Sequence, residues 1–162
     1  AVLLELLEQA LRSWLAEVTD ELAAGVEPDR PARERGDRFA AIVARSLARH
    51  TVLCDLISTQ AGVLEHNVSV EVVVRHKRAA LDSLDRMVGL VQRHVPELGD
   101  DARALCLGIT IMAGALASYC PPSASVLAAY NADPTLDQFP TDLGAALDLA
   151  VPMLVRGTLA RT

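Results

Sequence analysis

Aromatic residues are scarce in this chain: one Trp, two Tyr and two Phe among 162 residues. So few rings leave little to stack a flavin or a nucleobase. Basic charge is short as well, with 15 Lys and Arg against 21 Asp and Glu for a net charge of -6. That is the wrong sign for a surface that condenses on phosphate, so the chain alone is not expected to hold DNA. The three cysteines, Cys54, Cys106 and Cys120, have no C-x-x-C spacing and each lies in an apolar stretch. Reduced, buried thiols in a cytoplasmic protein are predicted rather than a disulfide framework. The sequence contains no G-x-S-x-G, P-loop, G-x-G-x-x-G or H-E-x-x-H. The usual nucleophile, phosphate and zinc signatures therefore fail, and neither enzyme activity, a cofactor nor a metal is expected.

What is present is helical periodicity. About half the residues are apolar, enough for one domain spanning 1–162 to bury its own core. The chain opens in mid-helix, Ala1-Val2-Leu3-Leu4-Glu5-Leu6-Leu7, with no initiator Met and no cap. It is expected to be the back part of a longer protein, whose missing front carries an activity that this part controls. The first helix is predicted to about Ala23, on Leu4, Leu7, Leu11, Trp14 or Leu15, Val18 and Leu22. Asp29 is expected to cap a second helix with Phe39, Ile42, Val43 and Leu47 inside, and a phase change at His50-Thr51 begins a short third helix ending at a Gly62 turn. Asn67 is the expected cap of a long fourth helix to about Val95, with the stripe Val70, Val73, Leu81, Leu84, Val88 and Val91.

The fifth helix, capped by Asp100 or Asp101, carries a bulky row, Leu105, Ile109, Met112 and Leu116, and a small row, Cys106, Thr110, Ala113 and Ala117. Its uncharged part, Ala104 to Tyr119, falls short of the ~20 residues of a membrane span and stops at Pro121, so no membrane insertion is expected. A turn capped by Ser123 and a last helix capped by Thr141 and kinked at Pro152 complete an all-α bundle of about six to seven helices. The fifth and last helices bear more apolar surface than a small bundle covers, which predicts a self-association seam that includes Ala113 and Ala117.

Two polar features stand against this background. The four histidines, His50, His66, His76 and His94, lack ligand spacing and are read as surface or turn residues. Lys77 falls inside the stripe of the fourth helix, so its ammonium needs an ion pair, with Asp55 or Glu65, a snorkelling route to water, or a ligand.

The whole layout resembles the C-terminal ligand-binding and dimerisation domain of TetR-family transcriptional regulators. The opening Ala1 to Trp14 looks like the helix that links head to body. The run Arg45-Ser46-Leu47-Ala48-Arg49-His50-Thr51-Val52-Leu53-Cys54-Asp55-Leu56 looks like the body's second and third helices. Leu64-Glu65-His66-Asn67-Val68-Ser69 and Arg75-His76-Lys77-Arg78 resemble an element of one actinobacterial-type subgroup. The resemblance implies a homodimer built on the last two long helices, a small-molecule pocket in the body, and operator binding only through an N-terminal helix-turn-helix head absent from this sequence. In such a dimer two heads spaced about 34 Å apart fit successive major grooves, and an effector that prefers one body geometry shifts that spacing.

The apolar faces converge on a candidate pocket of Trp14, Phe39, Val43, Ile57, Val73, Ile109, Met112 and Leu116, with Lys77 and Thr110 as polar members. Gln60 and Asn67 are further orienting candidates. A neutral or weakly acidic, largely apolar effector suits that lining. Two other readings are a helical protein-interaction module without an effector and, less favoured, an enzyme using isolated residues such as Lys77 or His66.

Overall fold

The computed structural model describes residues 2–65 and 68–161, with only the backbone of Ala61 and Glu65. Among the described residues seven α-helices follow one another: α1 (Val2–Gly25), α2 (Ala32–Arg49), α3 (Thr51–Glu65), α4 (Val70–His94), α5 (Ala102–Tyr119), α6 (Ala124–Ala132) and α7 (Leu143–Leu159). Short 3-10 segments, Pro96–Asp101 and Pro134–Leu136, precede α5 and follow α6, and no strand occurs among the described residues. The all-α bundle expected from periodicity is the fold.

The stripe of α1 is buried as read, through Leu4, Leu7, Trp14, Leu15, Val18 and Leu22. Helix α2 packs along α7, while α5 is flanked by α3, α4 and α7. The core runs between these layers from Leu22 and Phe39 to Leu98, Ile109 and Val151. Trp14 Nε1 donates to Ser46 Oγ at 3.0 Å, which satisfies the buried indole and pins α1 to α2. The buried Arg35 guanidinium donates to the carbonyls of Arg30 at 2.8 Å and His94 at 2.7 Å. It also pairs with Glu97, so one cation closes the end of the bundle where α2, α4 and the 3-10 segment meet.

Several local expectations are corrected. Helix α2 starts after Pro31 with no side-chain cap, and Asp29 lies in the preceding turn. Helix α3 runs through Gly62, because one glycine costs a packed helix only about 1 kcal/mol. Ser69 caps α4, its hydroxyl accepting from Val72 N–H; Asn67 and His66 lie outside the described residues. Asp101 precedes α5 without a side-chain cap bond, whereas Ser123 caps α6 as expected. At α7 the cap is Asp142, accepting from Ala145 N–H at 2.9 Å, and not Thr141. Pro152 lies within that continuous helix.

The small row of α5 is only partly where a seam would need it, with Ala117 half-buried against the core. Ala113 is fully buried within the chain's own core, and Gly114 packs on α3 of the same chain. A Cβ at Gly114 would meet Ile57 Cγ2 at 2.7 Å and the Ser58 backbone nitrogen at 3.1 Å. Gly114→Val is therefore expected to force α3 and α5 apart and lower stability by about 1–3 kcal/mol. A denaturant midpoint unchanged from the parent would contradict that close approach.

Pro96–Tyr119 is long and apolar enough to pass for a membrane span by length and composition, although the sequence alone suggested a shorter run. Glu97, Asp100 and Asp101 occupy its first turns, and Leu105, Cys106, Ile109 and Ala113 are buried in the hydrophobic core. One side of the helix is thus packed in the chain's own core, while Leu107, Ile111 and Tyr119 on the other are exposed.

Candidate functional site

Four helices leave a cleft of about 630 Å³ between them, within the range of small-molecule sites. Helix α1 contributes Leu7 and Leu11; α3 contributes Ile57, Ser58, Gln60 and Leu64. Helix α4 supplies His76, Lys77, Ala80, Leu81, Ser83, Leu84 and Met87, and α5 supplies Leu107, Thr110, Ile111, Gly114, Ala115 and Ser118. Gly114 lets α5 close on α3, and the small side chains of Ala80 and Ser83 are part of the α4 lining. Leu81, Leu107 and Ile111 form an exposed apolar rim.

Of the residues singled out by sequence, Ile57, Lys77 and Thr110 line this cleft. Trp14, Phe39, Val43 and Ile109 are buried core residues outside its lining, and Val73, Met112 and Leu116 are half-buried, also outside it. Gln60 lines it too.

The polar groups of the cleft are mostly committed to the helices that carry them. Thr110 Oγ1 donates to the Cys106 carbonyl at 2.9 Å. Ser118 and Ser58 hydroxyls meet at 2.8 Å across the α3–α5 contact. Lys77 is exposed at the cleft's edge and forms no ion pair with Asp55, while the side chain of Glu65, the other expected partner, lies outside the described residues.

The reason is a phase shift in α4. Its buried face is His76, Leu84, Met87 and Val91, while Val70 and Leu81 are exposed. His76, read from sequence as a surface or turn residue, is 2% exposed. Its Nδ1 lies 3.7 Å from Glu8 Oε1 on α1, and neither ring nitrogen has a hydrogen-bond partner. The signal that could have found it was present: positions 76, 80, 84, 87 and 91 repeat at three- and four-residue steps.

Burial holds His76 below the usual imidazole range, with Glu8 opposing and Lys77 adding to the effect; burial and then Arg93 do the same to His94. The unfolded chain therefore takes up these protons first as pH falls through about 6.5. The sign is that stability is fully present above that value and is lost as pH drops from it towards the depressed folded values. Urea midpoints are expected to fall between about pH 7 and pH 5, and His76→Leu should flatten part of that slope. A slope identical in His76→Leu would show that this imidazole titrates normally.

The thiols take no part in such chemistry. Burial raises Cys54 to about 11 and Cys106 to about 12, and it raises Cys120 as well. All three are free and buried, as the sequence suggested. No group of three or more His, Cys, Asp or Glu able to hold a metal occurs among the described residues.

An all-helical body with an apolar cleft between helices has the form of a ligand-binding domain. The chain matches the family described as "Tetracyclin repressor-like, C-terminal domain" over residues 8–162, and it belongs to that family. No curated protein is a significant match.

Proposed function

We propose that residues 1–162 form the effector-binding and dimerisation body of a cytoplasmic, one-component transcriptional repressor. The observation that carries this reading is the cleft, whose walls are mainly apolar and whose lining includes α1 through Leu7 and Leu11. In this reading α1 joins the body to a DNA-binding head, operator DNA is reached only through that head, and a bound effector moves α1. Coupling of ~1–3 kcal/mol changes operator affinity by roughly 5- to 150-fold.

The dimer seam lies on α5 and α7, where Ile111 and Tyr119 on one helix and Leu149 and Met153 on its neighbour are exposed. Ala113 is no longer part of it. The candidate effector contacts are Ile57, Lys77 and Thr110 among the residues named from sequence, and the effector is small and largely apolar. Isothermal titration of the chain with a panel of apolar ligands, together with sedimentation velocity, tests both halves. Binding by a dimer is expected; a ligand-blind monomer at micromolar concentration would count against the reading.

One observation favours a protein-interaction module instead. Helix α6 has no buried residue, and Phe139 beyond it is 79% exposed. Recovery of a stable complex with a different chain, with no response to any ligand, would support that second reading.

A further inference from the structure

Given the cleft's proposed role as a ligand site, we propose that His76, oriented by Glu8, recognises a single hydroxyl donor on an otherwise apolar ligand, for which an alkylphenol serves as the probe. His76 lines the cleft, and in this closed arrangement both its nitrogens are buried and without hydrogen-bond partners, so a ligand O–H reaches Nε2 only as α1 and α4 part around the ring. At 3.7 Å, Glu8 Oε1 is beyond hydrogen-bond distance of Nδ1, but its charge attracts the imidazole proton to that nitrogen. Nε2 is then left as a lone-pair acceptor. A buried acceptor with no donor costs free energy that a ligand O–H restores.

The surrounding groups set the rest of the ligand. The Thr110 hydroxyl donates to the Cys106 carbonyl, and the Ser118 and Ser58 hydroxyls bond each other, so these groups are already engaged. Charges near the imidazole are one of each sign, Glu8 from α1 and Lys77 from α4. Helices α3 and α5 add only hydroxyl and amide groups to the lining among the described residues. A carboxylate or phosphate head would face Glu8 without a matched surplus of cations, whereas a neutral hydroxyl meets no such opposition. The ligand keeps its proton, so no transfer step is required. Glu8 belongs to α1, and occupation of Nε2 is therefore felt by the helix assigned as lever.

The test is isothermal titration of the chain with 4-heptylphenol and with 4-heptylanisole, which has nearly the same shape and no donor. The phenol is expected to bind roughly tenfold more tightly. His76→Leu should bring that ratio to about one, and His76→Gln, which keeps an acceptor, should retain part of it. Equal affinities in the parent chain, or a preference that survives in both variants, would overturn the assignment. If both compounds bind equally the cleft stands as a ligand site without this recognition; if neither binds, the cleft reading fails with it. Should His76→Leu not fold, the same comparison on His76→Gln decides: an unchanged ratio overturns the proposal and a reduced one supports it.

Discussion

Met153→Arg is expected to turn the proposed dimer into a monomer, raising its dissociation constant by at least about a hundredfold. Met153 and Leu149 are 63% and 57% exposed on α7, beside α5 with its exposed Ile111 at 68%. In a lone chain an arginine at 153 reaches water and costs the fold little. Inside a dimer seam the same guanidinium is buried without a partner, at about 3–5 kcal/mol. Circular dichroism should therefore be unchanged while sedimentation velocity reports half the mass. Ala113→Arg provides the contrast: Ala113 is wholly buried, so its arginine should unfold the chain. A Met153→Arg chain that remains dimeric at low micromolar concentration would place the seam elsewhere.

The second large effect is loss of ligand binding on filling the cleft. Ala80 is half-buried on the α4 wall, and a tryptophan there occupies much of the space opposite Leu7 and Ile57. Any apolar ligand that binds the parent is expected to bind Ala80→Trp at least about a hundredfold more weakly, since the ring takes both its volume and its apolar contacts. Because the ring enters open space, the melting temperature should hold or rise, and the oligomeric state should not move. Undiminished affinity in Ala80→Trp would mean that ligands bind outside this cleft.

The bundle was legible in the sequence where one face of a helix is strictly apolar. Helix α1 is such a case over most of its length: Leu4, Leu7, Val18 and Leu22 set its phase, although Val2, Leu3 and Leu6 in its first turns are exposed. Helix α4 is not, because its apolar residues lie on two sides. Val70, Leu81 and Val74 are exposed, Leu81 at the cleft rim, and the true core face includes an imidazole that no count of hydrophobic residues admits. That displacement of phase put Lys77 in the interior and His76 outside.

Helix α5 failed differently. A row of small residues permits close approach but does not say whose helix approaches, and here α3 of the same chain fills the place given to a second copy. The cleft was only partly legible for a related reason. Convergent apolar faces locate the core, and Trp14, Phe39, Val43 and Ile109 are core, whereas a cleft arises where side chains are too short to meet. Ala80, Ser83 and Gly114 are part of its lining, and short side chains carry little sequence signal. Arg35 carries no sequence signal because its three acceptors, at Arg30, His94 and Glu97, are brought to it only by the fold.

Methyl-resolved NMR of the chain titrated with 4-heptylphenol tests the central claim most directly, since the cleft and the core have different methyl groups. Saturable shifts are expected at Leu7, Leu11, Leu84, Met87 and Ile111, which line the cleft, with Leu22, Val43 and Val151 in the core unmoved. No saturable shift, or shifts confined to the core methyls or to α6, would contradict an effector site between α1, α3, α4 and α5.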